Sequence, residues 1–131
     1  MRWPWARRSL TRQELGALGE RHAARLLRGK GYRLLEANYR TPRGELDLIA
    51  RDGDTLIFVE IRTRTSEDTL TPLSSVDERK QQHIVRTARA YLRARRLPEC
   101  PCRFDVVEVV ARPAGRVVEM RHYEGAFGED G

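Results

Sequence analysis

Residues 44–62 read GELDLIARDGDTLIFVEIR, and this stretch decides the fold. Two apolar runs in it are separated by Asp52-Gly53, a dipeptide that favours a tight turn between antiparallel strands. We therefore predict strands at 45–51 and 55–62. Both runs also contain carboxylates, which are disfavoured inside strands, so their presence there indicates a function.

Side chains alternate across a strand, so four charged residues of this hairpin are predicted to share one face. They are Glu45, Asp47, Glu60 and Arg62. A two-residue loop that pairs Arg51 with Asp54, or a four-residue loop over 51–54, gives one register. In that register Asp47 lies opposite Phe58 and is a diagonal neighbour of Glu60, with the backbones roughly 7 Å apart. A divalent cation can bridge that gap.

Clustered carboxylates suit a hard divalent cation such as Mg²⁺ or Mn²⁺, which takes oxygen ligands from acids, water and phosphate. Asp47 and Glu60 are the predicted ligands, and an ion between them would polarise a phosphodiester. Glu20 is a third candidate, because it adjoins small and apolar residues on its predicted helix and such a charge usually has a partner. The alternative is that these acids form only surface ion pairs with nearby arginines, which contribute roughly 0–1 kcal/mol each.

The remaining patterns place the hairpin in a single α/β domain. Capping boxes at Thr11 and Ser75 predict where two helices begin. The predicted elements are a helix at 11–30, strands at 32–39, 45–51 and 55–62, a helix at 75–96, and strands at 104–110 and 117–123. The order α-β-β-β-α-β-β implies a mixed sheet flanked by helices. We predict one domain at 11–123 between a basic flexible arm at 1–10 and a flexible tail at 124–131.

The chain is basic, since 25 Lys and Arg residues against 19 Asp and Glu residues give a net charge of +6. This charge favours an anionic partner such as nucleic acid. The length of 131 residues suits one domain with a single core. Two cysteines are too few for a disulfide framework, and no stretch is long and apolar enough to span a membrane. We therefore expect a cytoplasmic protein with no membrane partner.

Arginines beside the acidic runs are the predicted phosphate contacts, namely Arg40, Arg43 and Arg64. Lys80 borders the apolar side of the second helix and is also counted as a nucleic-acid contact. Its alternative roles are to cap that helix or to neutralise an acid. Another row of arginines, at 79, 86, 89, 93 and 96, lies on the side of this helix opposite the apolar residues. Helix geometry favours a solvated outer face for that row over a phosphate-binding one.

Several short blocks of the sequence occur together, in this order, in one known family. They are Gly16-Ala17-Leu18-Gly19-Glu20, Gly31-Tyr32, Asn38-Tyr39-Arg40, residues 44–49, Phe58-Val59-Glu60, Lys80, Tyr91-Leu92 and Phe104-Asp105-Val106-Val107. The chain closely resembles the YraN-like family of bacterial proteins. That family is similar to the restriction-endonuclease-like nucleases of the PD-(D/E)xK group, particularly the archaeal Holliday-junction resolvases. The resemblance extends from about residue 15 to residue 110.

The resemblance implies a restriction-endonuclease-like core in which Asp47 and Glu60 bind the metal and Glu20 belongs to the active site. The lysine expected two residues after Glu60 is Arg62 here, which keeps the positive charge but cannot accept a proton. Two functions are therefore implied. One is a Mg²⁺- or Mn²⁺-dependent endonuclease that acts on DNA phosphodiesters, branched DNA among them. The other is a nucleic-acid-binding module that kept the fold but lost cleavage. DNA is expected as a partner more than RNA, and the resolvases act as symmetric pairs, so the resemblance also allows a homodimer.

Overall fold

The computed structural model of the protein describes residues 8–68, 76–97 and 99–128. Its elements, in chain order, are α1 (Arg12–Gly29), β1 (Arg33–Thr41), β2 (Gly44–Asp52), β3 (Thr55–Thr65), α2 (Glu78–Ala94), β4 (Cys102–Ala111) and β5 (Val117–Phe127). This is the predicted order α-β-β-β-α-β-β, and the mixed α/β architecture is confirmed. Within the described part of the chain, neither helix combines the length and the apolar character needed to cross a bilayer.

The five strands form one sheet in the order β1-β2-β3-β4-β5. β3 and β4 are parallel, and every other neighbouring pair is antiparallel. A parallel pair needs a long crossover connection, and α2 lies within the one between β3 and β4. β3 and β4 are the central strands and are buried along most of their length.

One helix covers each face of the sheet. On the α1 face, Ala23 and Leu27 of the helix pack with Ile57 and Val59 of β3 and Val107 of β4. On the α2 face, the apolar side of the second helix packs against alternate residues of the same strands. The main contributors there are Leu46, Ile49, Phe58, Ile84, Ala88, Tyr91, Phe104 and Val106. The two faces of β3 thus alternate as a strand buried on both sides requires.

The first helix begins as predicted, because Thr11 forms a complete capping box with Glu14. The second does not. Its N-cap is Asp77, whose side chain accepts a hydrogen bond from the Lys80 backbone N–H at 2.9 Å. Ser75, the predicted cap, lies outside the described residues. An aspartate two residues later offers a carboxylate acceptor to the free N–H groups of the first turn.

The predicted tail requires correction, and most of the predicted arm, residues 1–7, lies outside the described residues. β5 continues to Phe127, which stacks on Phe104 with ring centroids 5.2 Å apart, so a flexible tail from 124 is wrong for residues 124–127. Of the predicted arm, only residues 8–10 are described, and the Leu10 backbone N–H donates to the Pro113 carbonyl at 2.7 Å. Aromatic burial at one end and a backbone hydrogen bond at the other hold these segments to the domain.

A buried polar network ties β4 to β5. Asp105 is fully buried and accepts hydrogen bonds from the Arg103 guanidinium at 2.8 and 2.9 Å and from the Gly125 backbone N–H at 2.9 Å. His122 contributes Nε2 at 2.7 Å from Asp105 and Nδ1 at 2.8 Å from the Lys30 ammonium. Because these partners satisfy its carboxylate, Asp105 is a structural residue that joins β4 to β5.

Candidate active site

The two predicted metal ligands meet where β2 and β3 separate. The backbone pairing of these strands runs from Asp52 opposite Thr55 to Leu48 opposite Val59 and ends there. One further pair in this register places Asp47 directly opposite Glu60. The predicted register, with Asp47 opposite Phe58, is wrong by two residues. Gly53, with φ 60°, is the first of the two central turn residues, as in type II′ hairpins, so the turn is Gly53-Asp54 rather than Asp52-Gly53.

Side-chain alternation in β2 is interrupted at Asp47. Leu46 belongs to the core of the α2 face and Leu48 to that of the α1 face, although residues two apart should share a face. The opposing residue in β1 is Asn38, which is skipped between the pairs Ala37–Leu48 and Tyr39–Leu46. Asn38 has φ 53°, a left-handed conformation that asparagine tolerates better than most residues. The sheet is therefore irregular on both sides of Asp47.

The predicted common face for the four charged hairpin residues is consequently not kept. Asp47 lines cavities bordered by α1 residues, whereas Glu60 follows Phe58 on the α2 face and contacts Lys80 of α2. The two carboxylates reach the gap from opposite sides of the sheet. They can meet because no backbone ladder fills the space between β2 and β3 beyond Leu48 and Val59.

The surroundings of Asp47 disfavour the charged form of its carboxyl group. Burial, and after it the negative charge of Glu60, raise the pKa of Asp47 from 3.8 to about 7. A hydrogen bond from the Ile61 backbone N–H to Asp47 Oδ2, at 2.8 Å, acts in the opposite direction and orients the group. The Ile61 N–H faces β2 beyond the last backbone pair of the two strands. The Asp47 side chain therefore accepts the hydrogen bond that a β2 backbone carbonyl would accept in a continuous sheet. A cation in the gap would relieve the repulsion.

Glu60 is buried and contacts two cations. Lys80 Nζ lies 3.1 Å from Glu60 Oε1, and Arg62 Nε lies 3.6 Å from the same oxygen. Lys80 comes from the first turn of α2, so an element other than β3 brings a lysine to Glu60. The sequence allowed this approach but contained no information on the distance.

Glu20 stands beside Asp47 rather than beside Glu60. It and Asp47 line two cavities in common, one of about 570 Å³ and one of about 640 Å³. The Asn38 amide donates to Glu20 Oε2 at 3.4 Å. Across residues 8–68, 76–97 and 99–128, no three His, Cys, Asp or Glu side chains are grouped so that they could hold a metal ion. Glu20 is therefore close to the gap on the Asp47 side, and its part in the site stays a prediction.

The carboxylates of Asp47 and Glu60 suit a hard cation that takes its other ligands from water and substrate. Two carboxylates, Asp47 and Glu60, are within electrostatic reach of each other in a half-buried gap, and burial strengthens their repulsion. Mg²⁺ keeps several waters and is typically bound through few carboxylates and substrate phosphates, which matches this arrangement.

The predicted phosphate contacts differ in availability. Arg40 is exposed and pairs loosely with Glu45 at 3.5 Å, and Arg43 is exposed. The Arg64 guanidinium is engaged in hydrogen bonds within the protein. Its Nε donates to the buried Glu108 at 2.7 Å, and its Nη1 donates to the Asp68 carbonyl at 3.0 Å. Binding a phosphate there would leave a buried carboxylate unpaired, so Arg64 acts as a structural ion pair.

Two features of the site were missed from the sequence. One is Asn38, whose left-handed backbone opposes Asp47. The other is a set of α1 arginines, Arg21, Arg25 and Arg28, which line the same 570 Å³ cavity as Glu20 and Asp47. Their spacing of four and three residues places them on one side of the helix, and this pattern could have revealed them. Asn38 carried no comparable signal, because its role depends on the local sheet irregularity.

Comparison with known proteins places the chain in a family. The profile of the uncharacterised protein family UPF0102 matches residues 19–109, which include every acid of the gap. A UPF0102 protein of Moorella thermoacetica is 45% identical over 119 residues, which cover 91% of this chain and 99% of that protein. One from Prosthecochloris aestuarii is 46% identical over 123 residues, covering 91% and 97%. Another, from Chlorobaculum parvum, is 45% identical over 119 residues, covering 88% and 92%. The chain therefore belongs to the uncharacterised protein family UPF0102, whose YraN-like motifs its sequence carries.

Proposed function

We propose that this protein is a divalent-cation-dependent nuclease that hydrolyses phosphodiester bonds of DNA. The observation that carries the proposal is the gap between β2 and β3, where Asp47 and Glu60 face each other beside the Lys80 ammonium. This pair of carboxylates does not stabilise the fold, because burial and then the charge of Glu60 raise the pKa of Asp47 and disfavour its charged form. Such perturbed groups in a cleft are candidates for chemistry.

Asp47 and Glu60 would hold Mg²⁺ or Mn²⁺. When bound, the ion would supply Lewis-acid activation of the phosphate and of water. The protein itself provides orientation: the Ile61 N–H fixes the Asp47 carboxylate, and Lys80 together with Arg62 fixes that of Glu60.

Lys80 and Arg62 supply the positive charge that the reaction requires. Negative charge increases on the phosphate oxygens during attack, and cations already positioned beside them stabilise that charge without reorganisation. Arg62 remains protonated throughout and serves only this electrostatic role. Lys80, 3.1 Å from Glu60, replaces the lysine that would otherwise stand at position 62.

Glu20 assists from the α1 side of the gap. It lines the same cavities as Asp47, and its Oε2 accepts a hydrogen bond from the Asn38 amide. In this position its carboxylate can accept a hydrogen bond from the attacking water and orient it towards the phosphate. A fixed orientation of this kind accelerates reaction by lowering the entropy cost of attack.

A nucleic-acid substrate is proposed because the chain is strongly basic and the cavities beside the acids are lined by arginines, and DNA in particular because the sequence motifs resemble those of the Holliday-junction resolvases. Arg40 and Arg43 are exposed near the start of β2 and are available for phosphate contacts. Branched DNA is included because both cavities open beside the same pair of residues, Glu20 and Asp47, so that strands can approach from two directions.

The test is cleavage of labelled branched, flapped and linear DNA with Mg²⁺ or Mn²⁺. Asp47→Asn and Glu60→Gln are expected to abolish cutting while the protein stays folded. Glu45→Gln is the matched control: it removes an exposed carboxylate from the same strand, whose ion pair within the described part of the chain is with Arg40 and whose charge is the smallest of the causes that act on Asp47. Cleavage that survives Asp47→Asn would show that the gap is not the active site.

A binding-only protein is the second candidate, favoured by the arginine at position 62, which cannot accept a proton. It predicts salt-sensitive DNA binding without cleavage in either metal. Arg62→Lys separates the two ideas further. If Lys80 already supplies the required charge, this substitution leaves cleavage nearly unchanged. If the protein lost its chemistry at position 62, the substitution restores cutting to an inactive protein.

A further inference from the structure

Three arginines of α1 line one side of a groove that leads to the acids. Arg21, Arg25 and Arg28 are exposed and follow each other at intervals of four and three residues. At a rise of about 1.5 Å per residue, the first and last are about 10 Å apart along the helix axis. They therefore form a short linear array rather than a single anion pocket.

These charges are not neutralised by the protein. Among the described residues, no carboxylate lies within ion-pair distance of Arg21, Arg25 or Arg28, whereas Arg64 and Arg103 are held by buried acids. Neighbouring like charges on a helix are destabilising. Their field is felt locally: burial, and then the charges of Arg25 and Arg21, lower the pKa of His22. An uncompensated array of cations is expected to bind an anion.

The opposite wall of the groove is apolar at three positions, and it also contains Asn38 and Glu36, whose carboxylate is paired with Arg95. It is formed by β1 and includes Leu34, Leu35 and Ala37. Leu35 is one of the few large apolar side chains exposed among the described residues, at 38%. A groove with cations on one wall and apolar side chains on the other matches a nucleic-acid strand, whose phosphates and bases lie on different sides. We call the space between these walls the α1 groove.

The size and direction of the α1 groove restrict the ligand further. Its volume of about 570 Å³ is in the range, roughly 300–1,000 Å³, of clefts that hold one ligand-sized group. At its inner end lie Glu20 and Asp47, which also line the second cavity with Arg12 and Arg62. A strand leaving the acids can thus continue into the α1 groove.

We propose that the α1 groove binds a single strand of nucleic acid that runs outward from the phosphate at the Asp47–Glu60 gap. Its phosphates contact Arg21, Arg25 and Arg28, and its bases pack against the β1 wall at Leu35. This inference rests on the proposed function for the position of the reacting phosphate. The strand binding itself does not require cleavage and is measured separately.

The experiment is titration of the full chain with a fluorescent single-stranded oligonucleotide, followed by anisotropy in EDTA so that no cleavage occurs. The triple variant Arg21→Gln/Arg25→Gln/Arg28→Gln is expected to bind about tenfold or more weakly at low salt. The slope of log K against log salt concentration should fall by about 2, since each phosphate contact on a single strand contributes about 0.7. A thermal melt checks folding, and removal of like charges should not lower the midpoint.

The matched control is Arg79→Gln/Arg86→Gln/Arg93→Gln, which removes three equally exposed charges from the outer face of α2. Its net charge is the same as that of the α1 variant, so a general loss of positive charge would affect both equally. We expect its affinity to change less than threefold and its salt slope to stay close to that of the unmodified protein. A further variant, Leu35→Ser, should weaken binding without altering the salt slope, because it removes apolar contact and no charge.

Equal losses in the two triple variants would overturn the proposal, as would an unchanged salt slope in the α1 variant or no binding of single strands at low salt. Failure of the proposed nuclease has a different signature. In that case the unmodified protein and Asp47→Asn both fail to cut, while the α1 variant still loses strand binding relative to the α2 control.

Discussion

Replacing Asp47 by asparagine is expected to make the protein more stable at alkaline pH. Burial and the charge of Glu60 raise the pKa of Asp47 from 3.8 to about 7, so the folded protein retains this proton over a range in which the unfolded chain has lost it. Between about pH 4 and pH 7 the free energy of unfolding therefore falls as the pH rises, and the full penalty is present above pH 7. Asparagine has the same shape, carries no charge and can still accept from the Ile61 N–H.

The size of the effect follows from the two pKa values. Their difference corresponds to an upper limit of about 4 kcal/mol, at about 1.4 kcal/mol for each tenfold change in proton affinity. Because this figure is an upper limit, we expect Asp47→Asn to raise the free energy of unfolding by about 2–4 kcal/mol at pH 8 and by under about 1 kcal/mol at pH 4.5. If the gap binds a metal, added ions should instead stabilise the unmodified protein more than the variant. At one hundred times its dissociation constant, Mg²⁺ should stabilise the unmodified protein by about 2.7 kcal/mol and the variant much less.

Urea titrations at pH 4.5 and pH 8, with and without Mg²⁺, measure these changes. Glu45→Gln is the control, since the exposed Glu45–Arg40 pair contributes roughly 0–1 kcal/mol at most. Equal stability of Asp47→Asn and the unmodified protein at pH 8 would refute the electrostatic reasoning. Stabilisation of both by Mg²⁺ to the same extent would refute the metal site while leaving the pH effect intact.

Four further substitutions test other parts of the molecule. Lys80→Gln should lower the cleavage rate by about 10²–10³-fold with little change in DNA binding, because it removes a cation beside the reacting phosphate; a rate within a few-fold of the unmodified protein, measured under single turnover, would exclude that role. Gly19→Ala should destabilise the fold by about 1–3 kcal/mol in a thermal melt, since the added methyl group meets the Thr63 side chain, whereas Gly16→Ala, with open space around it, should stabilise by about 0.5–1 kcal/mol. Asp105→Asn should cost about 3–5 kcal/mol at pH 7 because it removes one partner of a buried charged network. Burial acts to raise the pKa of Asp105, but hydrogen bonds from its partners outweigh burial and lower this pKa. The unmodified protein should therefore lose the stability that the network contributes only as the pH falls below about 4. Urea titrations from pH 2 to pH 7 measure this loss, and a loss in a different pH range would contradict the network.

The order of the elements was readable from the sequence because it depends on local signals. Apolar periodicity and the Thr11 capping box predicted the helices and strands within a few residues of their observed bounds. The long outer end of β5 was missed, since its last residues are held by Phe127 stacking on Phe104 across the sheet. Such a contact joins residues far apart in the chain and leaves no local pattern.

The geometry of the acids was only partly readable. Registers that differ by two residues present the same side chains to the same face, so the alternation of β2 and β3 could not distinguish the predicted pairing from the observed one. The turn determines which of the two registers forms, because Gly53 takes the positive φ at its first central position. The proximity of Lys80 to Glu60 depends on how α2 packs on the sheet.

By itself, the sequence determined the helices and strands, the basic charge and the identity of the acidic residues, because these depend on neighbouring residues and on composition. Only the tertiary structure decided that β2 and β3 separate at Asp47, that Lys80 reaches Glu60 and that the α1 arginines line a groove ending at Glu20 and Asp47. Those features arise where elements distant in sequence pack together, and packing is governed by the fit of whole faces rather than by any short run of residues.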